Sequence, residues 1–188
     1  MVFRERRQER REERQERSDE RRGGSGAAHY RMRQKLVSIG DDYWIEDDEG
    51  RRVFKVDGKA LRVRKTLDFE DTQGNKLLKI QERMLRVRDT MEIEDPDGRT
   101  VATVKKALVT PLRERMAVTV AGGPDLTVHG NILDHEYSIE AQGATVAEVS
   151  KRWFRIADTY GVEIAPGQNE VLLLAVTAVI DSMVDPAR

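Results

Sequence analysis

The sequence predicts a mainly β protein: a closed twelve-strand antiparallel barrel around a central hydrophobic C-terminal helix. Three observations lead there. A strand–turn–strand unit with an acidic turn ending in Gly recurs along the chain. One stretch near the C-terminus is apolar on every side. The two fit each other, because a twelve-strand barrel leaves a lumen too wide for strand side chains alone, and an all-round apolar helix needs a lumen to occupy.

The elements follow in chain order. Residues 1–31 carry ten Arg and seven acids, and their large apolar residues, Val2, Phe3 and Tyr30, lie at the ends. Arg, Glu and Gln are good helix formers. The i,i+4 neighbours Glu5–Glu9, Arg6–Arg10 and Arg10–Arg14 are like-charged, however, which weakens a helix there. No apolar face is available for docking, and Gly23, Gly24, Ser25 and Gly26 follow as a flexible linker. Residues 1–31 therefore read as a charged, disordered tail ahead of a domain over 32–184.

Within that domain the repeat comes first. It reads Ile45-Glu46-Asp47-Asp48-Glu49-Gly50, Phe69-Glu70-Asp71-Thr72-Gln73-Gly74, Ile93-Glu94-Asp95-Pro96-Asp97-Gly98 and Ile139-Glu140-Ala141-Gln142-Gly143. Gly50, Gly74 and Gly98 are spaced by 24. Four and six residues after each Gly come two apolar residues, such as Phe54 and Val56, or Leu78 and Ile80. Period-two alternation marks strands with one buried face, and Gly after Asp or Asn marks hairpin turns. The strands expected are 34–39, 43–47, 53–57, 61–70, 77–83, 87–94, 100–107, 113–120, 126–130, 136–141, 145–153 and 158–164. Short strands at this density suggest a meandering antiparallel barrel or sandwich, and closure into a barrel removes the sheet edges.

Val171 to Val184 breaks the alternation. This stretch, within an element spanning about 169–184, is 14 residues long, or about 21 Å as a helix. A bilayer core measures about 30 Å, so a helix wrapped in protein is expected instead. Asn169 is placed to cap it, Glu170 sits near its positive end, and Asp185-Pro186 stops it.

Composition sets outer limits on function. The 188 residues suit one domain plus a tail. With 36% charged residues and a net charge of -1, the chain as a whole is no strongly basic nucleic-acid binder, and no specific nucleic acid is expected as a partner. The absence of Cys excludes disulfides, thiol catalysis and Cys-bound zinc. No apolar h-region opens the chain, which suggests a cytoplasmic protein, peripheral to the membrane if it meets one.

The hairpins, of which Asp95-Pro96-Asp97-Gly98-Arg99-Thr100-Val101-Ala102-Thr103-Val104-Lys105-Lys106 is the clearest, carry a further resemblance. So does the stretch from Gly130 to Val184, through Leu133-Asp134-His135-Glu136-Tyr137, Ser150-Lys151-Arg152-Trp153-Phe154 and Asp158-Thr159-Tyr160-Gly161-Val162. Together they resemble the LURP-one-related family, which shares the tubby-like fold with tubby C-terminal domains and phospholipid scramblases. The resemblance covers about 32–184 and implies a tubby-like barrel. For function it implies less: tubby domains bind phosphoinositides, scramblases move lipids, and fold analogy is a weak guide.

Catalytic and metal chemistry find little support in the residues. His129 and His135, six apart with Asp134 and Glu136 beside them, suit a half-exposed hairpin better than a metal site. Asp95-Pro96-Asp97-Gly98 lacks the later ligands of a calcium loop, and the run Asp41, Asp42, Glu46, Asp47, Asp48, Glu49 reads as a solvated turn. Ser38, Ser138, Ser150 and Ser182 lie in no nucleophile frame, and Gly122-Gly123-Pro124 is a turn. Arg152-Trp153-Phe154-Arg155 resembles a family strand and reads as barrel packing. No cofactor, metal or enzymatic activity is expected.

One asymmetry remains. Residues 51–115 hold 17 Lys and Arg against 11 acids, while 116–188 hold 4 against 10. Alternation points Arg62 and Arg64 outward; Lys65, Arg86, Arg88, Lys105, Lys106, Arg113 and Arg115 follow in the same segment. These nine residues are the candidate anion site, and anionic membrane lipids of the phosphoinositide kind are the candidate ligand. The competing expectation is a structural or protein-interaction module whose charged tail serves as adapter, with exposed charges that merely coat the barrel.

Overall fold

Asp47, Asp71 and Asp95 each close a hairpin in the same way. The backbone N–H of each donates to the carbonyl four residues on, at 2.9 Å (Arg51), 3.0 Å (Asn75) and 2.9 Å (Arg99). Gly50, Gly74 and Gly98 then donate back to the Asp carbonyls at 3.0–3.2 Å. These glycines sit at φ +75°, +84° and +80°, where a Cβ is disfavoured. The carboxylates finish the turn: Asp71 Oδ1 accepts from the N–H groups of Gln73 and Asn75, and its Oδ2 from the Asn75 amide at 2.8 Å. The Asn75 side chain, and then its backbone N–H, hold the Asp71 carboxyl below its ordinary pKa. A β-bulge precedes each turn, between Ile45 and Glu46, Phe69 and Glu70, Ile93 and Glu94, and Ile139 and Glu140.

The computed structural model describes residues 26–33, 43–58, 66–82, 90–106, 114–153 and 159–184. Its strands are β1 (Ala28–Arg33), β2 (Tyr43–Asp47), β3 (Arg52–Gly58), β4 (Thr66–Asp71), β5 (Lys76–Glu82) and β6 (Thr90–Glu94). They continue as β7 (Thr100–Lys106), β8 (Glu114–Val120), β9 (Leu126–Asn131), β10 (Glu136–Ala141), β11 (Ala144–Ser150) and β12 (Thr159–Ile164). Every strand pairs antiparallel with its sequence neighbours, and β1 pairs with β12 from Ala28↔Ile164 to Arg33↔Thr159. The twelve-strand closed antiparallel barrel expected from the repeat is the fold.

Left-handed glycines recur at 26, 50, 74, 98 and 122, then at 143 and 167. The period of 24 shortens to 21 between Gly122 and Gly143 because the β9–β10 connection is the four-residue turn 132–135. Antiparallel order puts all these glycines at one end of the barrel, the turn end. The alternate connections join strands at the opposite end, called here the connection end.

Inward positions alternate along the strands: Ile45, Leu67, Phe69, Ile80, Ile93, Val104, Val118, Val128 and Ile139 are each no more than 1% exposed. Helix α1 (Glu170–Val184) threads the lumen they surround. Leu174 to Val179 are fully buried on all sides, and α1 packs against β5, β6, β7 and β12. Its N-cap is Asn169, whose Oδ1 accepts from the Leu172 N–H at 3.1 Å.

Three boundaries differ from the sequence expectation. The first strand is Ala28–Arg33, whereas the stretch expected, 34–39, lies outside the described residues. The Arg-rich composition around it conceals the alternation Ala28, Tyr30, Met32, which faces Ile164, Val162 and Tyr160. Ala28 to Arg31, counted with the tail on charge, are thus part of the barrel. The expected strand 61–70 is described only from Thr66, as β4. The expected strand 145–153 ends at Ser150, and Lys151–Trp153 form a 3-10 turn. There the Glu136 carboxylate accepts from the Lys151 and Arg152 N–H groups at 3.1 and 3.2 Å, bending the chain away from β10.

Two consequences are testable. Leu173→Asp or Val176→Asp buries an unpaired carboxylate in the lumen and should cost several kcal/mol, enough to abolish the cooperative thermal transition followed by circular dichroism. A chain beginning at Met32 loses the β1–β2 ladder and most of β1–β12. Its melting temperature should fall by ten degrees or more, at about 2–4 °C per kcal/mol for a domain of this size, and an unchanged value would contradict the closed ring.

Candidate functional site

The connection end combines a buried polar cluster with a charged exterior. Asp181 is the sole acid of α1 past its first residue, and its side chain is 4% exposed. A buried carboxylate needs a partner. It finds one in His135, from the turn 132–135, whose Nε2 lies 2.6 Å from Asp181 Oδ1 with the ring N–H donating to the carboxylate. The His135 ring packs on Tyr160 with centroids 4.5 Å apart. Tyr43 and Tyr137 complete the cluster, and the hydroxyls of all three tyrosines and His135 Nδ1 are buried with no hydrogen-bond partner among the described residues. All three tyrosines are 8% exposed or less.

Burial pushes each of these hydroxyls well above its ordinary pKa near 10, and the Asp181 charge pushes all three further. The geometry makes the cluster a clamp: it joins three strands and a turn of the barrel wall to the last turns of the lumen helix. Chemically it holds a charge out of water. Sequence reasoning passed over this cluster, although one signal was present: a lone carboxylate in an all-apolar helix.

The charge count in the sequence differs between the segments that join strands at the two ends, and most of the connection-end segments lie outside the described residues. The connection-end segments 34–42, 59–65, 83–89, 107–113, 132–135 and 151–158 contain twelve Lys or Arg against five acids. At the turn end, 48–51, 72–75, 95–99, 121–125, 142–143 and 165–169 contain two against five.

Of the nine candidate residues, Lys105, Lys106 and Arg115 are described; Arg62, Arg64, Lys65, Arg86, Arg88 and Arg113 lie outside the described residues. Lys105 and Arg115 are exposed on the outer face of the neighbouring strands β7 and β8, where Lys105 faces Ala117 and Arg115 faces His129. Neither makes an ion pair among the described residues. Lys106 departs from the outer face: it shares the lumen-facing parity of Ala102 and Val104 and is half-buried at the barrel rim.

Other candidates resolve into structure. His129 and His135 diverge, the first turned outward to Glu140 at 2.7 Å and the second inward to Asp181. Among the described residues no group of three or more His, Asp or Glu is placed to hold a metal. Asp47 and Asp95 are committed to their turns. Trp153 lines a cleft of about 170 Å³ with His29, Arg31, Asp48 and Gly161 on the outside of the β1–β12 seam. That is below the ~300 Å³ at which small-molecule pockets begin, and Arg31 is already bonded to Glu46 at 3.1 Å.

The tyrosine cluster gives a pH prediction. Each hydroxyl is neutral when protonated, so a folded pKa above the unfolded value near 10 means that the unfolded chain loses its proton first as pH rises. The stabilisation is complete below about pH 10 and falls above it by about 1.4 kcal/mol per pH unit for each tyrosine. Denaturant unfolding between about pH 9 and pH 11 should show this fall, and Tyr43→Phe should make it shallower. An identical slope in the variant would mean that Tyr43 is not held as described.

The comparisons with known proteins agree with this architecture. No curated protein matches the sequence. The chain is similar in structure to a protein from Arabidopsis thaliana solved by X-ray crystallography, with a TM-score of 0.63 at 16% identity, covering 84% of this chain and 91% of that one. At that identity the likeness speaks for the fold. The family model for LURP-one-related proteins matches residues 28–181, which begins at the first residue of β1 and ends at the Asp181 that His135 clamps. The chain belongs to the LURP-one-related family.

Proposed function

We propose that this barrel is a non-enzymatic binding domain that docks its connection end on anionic lipid headgroups at a membrane surface. The observation that supports the reading is the sequence count of charge, twelve Lys or Arg against five acids in the segments that join strands at the connection end. A field of one sign gathered at one end orients the molecule toward an opposite surface before contact, which charges scattered over the wall would not do. Lys105 and Arg115 stand outward at that end, within reach of a flat anionic plane. No helix among the described residues is long and apolar enough to cross a membrane, so contact through an end of the barrel is the mode this reading uses.

A second reading is favoured by a different feature. The Arg-rich segment 1–25 precedes Gly26, which lies at the turn end. It would serve as an adapter for an acidic protein partner.

Sedimentation with phosphatidylcholine vesicles, with and without phosphoinositide, separates these. The full chain should pellet only with the anionic vesicles, and less as salt rises, because exposed charges are screened within about 8 Å at physiological ionic strength. Each cation near a charged membrane contributes about 1 kcal/mol, so Lys105→Gln with Arg115→Gln should weaken binding about 30-fold. Arg62, Arg64, Arg86 and Arg88 replaced together by Gln should weaken it further. Equal pelleting of native chain and variants would remove the connection end from consideration. Loss of pelleting on deleting residues 1–25 alone would transfer the binding to the tail.

A further inference from the structure

The clamp at the connection end leaves four polar atoms to account for. Tyr43 opens β2, Tyr137 is the second residue of β10, and Tyr160 the second of β12, so all three stand at one level of the barrel axis. Each shares the lumen-facing parity of its buried neighbour two residues on, Ile45, Ile139 and Val162. Helix α1 runs toward the same end and brings Asp181 to that level, where His135 meets it at 2.6 Å. The Tyr160 hydroxyl lies in the field of Asp181, Tyr137 and Tyr43 together. Yet the three hydroxyls and His135 Nδ1 have no hydrogen-bond partner among the described residues, so they do not bond one another. Their residues are between 0% and 8% exposed, which keeps these atoms from bulk solvent.

Buried polar groups in folded proteins are nearly always bonded, and four left unpaired in one place would cost a large part of a domain's stability. Their chemistry defines what fits between them. With its Nε2–H on Asp181, neutral His135 presents Nδ1 as a lone-pair acceptor. Each tyrosine has one O–H to donate and an oxygen that accepts. The occupant must therefore take protons from hydroxyls and return one to a lone pair. A carboxylate or phosphate has no proton to return and sets a second anion beside Asp181. A hard cation suits the phenol oxygens but demands roughly six or more oxygen ligands, against three phenols and one carboxylate here. Water, with two protons and two lone pairs, meets both requirements. We propose that the node between Tyr43, Tyr137, Tyr160 and His135 is a binding site for internal water, in which at least one molecule accepts from tyrosine hydroxyls and donates to His135 Nδ1. The water joins β2, β10 and β12 to the turn 132–135, and through His135 to Asp181 of the helix. Solvent sealed off from bulk thus completes the clamp.

The sign of a conservative substitution tests this. If the hydroxyls were dry, Tyr160→Phe would remove an unpaired group and raise the melting temperature. With water bound it removes a bond, so the full chain near neutral pH should melt about 3 °C lower, and Tyr43→Phe should do the same. Phe keeps the ring packing, so both variants fold. Oxygen-17 magnetic relaxation dispersion of the full chain reads long-lived internal water directly. The native chain should show such a population, and Tyr43→Phe combined with Tyr160→Phe should reduce it. Melting in tetramethylammonium chloride with a chelator should match melting in sodium or potassium chloride. An equal or higher melting temperature in both single variants, or the same long-lived population in native chain and double variant, overturns the water site. A melting temperature that falls in tetramethylammonium and recovers with sodium, potassium, magnesium or calcium gives the node to a cation and overturns it as well.

Discussion

A lumen too wide to be filled from its own wall is the constraint on which this molecule rests. Twelve strands close without edges, but their inward side chains leave a central void that water cannot occupy favourably. A helix suits the void because it satisfies its own backbone, so it presents only side chains to the wall. The remaining polar groups follow the same rule. Thr177 and Ser182 donate back to the Leu173 and Val179 carbonyls at 2.9 and 2.8 Å. Asp181 looks outside its helix, and its bond to His135 ties the last turns of the helix to the turn 132–135.

The parts of this fold that were legible in the sequence are those where one residue does one local job. Gly after an acidic pair, followed by alternating apolar residues, reports a turn and a strand without knowledge of anything distant. The lumen helix was legible by exclusion, since its all-round apolarity left nowhere else for it to go. What stayed hidden depends on distance in the chain. Tyr30 and Met32 could be recognised as wall residues only by knowing that Val162 and Tyr160 stand opposite. His135 looked like half of a weak metal pair because its partner lies 46 residues away on the helix. The candidate cations were visible as a local excess, but the segment 51–115 in which they were counted mixes both barrel ends. Only the antiparallel order separates its basic connections from its acidic turns.

That separation shows how such a barrel can divide its tasks. The wall and lumen are specified largely by the apolar pattern, and a chain only 16% identical reaches the same architecture. The ends are free of that demand. Acidic residues gather where an Asp carboxylate caps a turn, and basic residues gather where longer connections cross between strands.

The repeating 24-residue unit also bears on how the chain finds its structure. Every ladder but one joins strands adjacent in sequence, so the meander can zip from hairpins whose ends are already close. The exception is the seam between β1 and β12, whose partners are 126 to 136 residues apart. Closing a loop of that length is entropically unfavourable until something rewards it. The reward lies just beyond the seam, because α1 follows β12 directly and offers its apolar surface to the curling sheet. Closure of the ring and entry of the helix are therefore expected to be coupled, and the native barrel should open at that seam first.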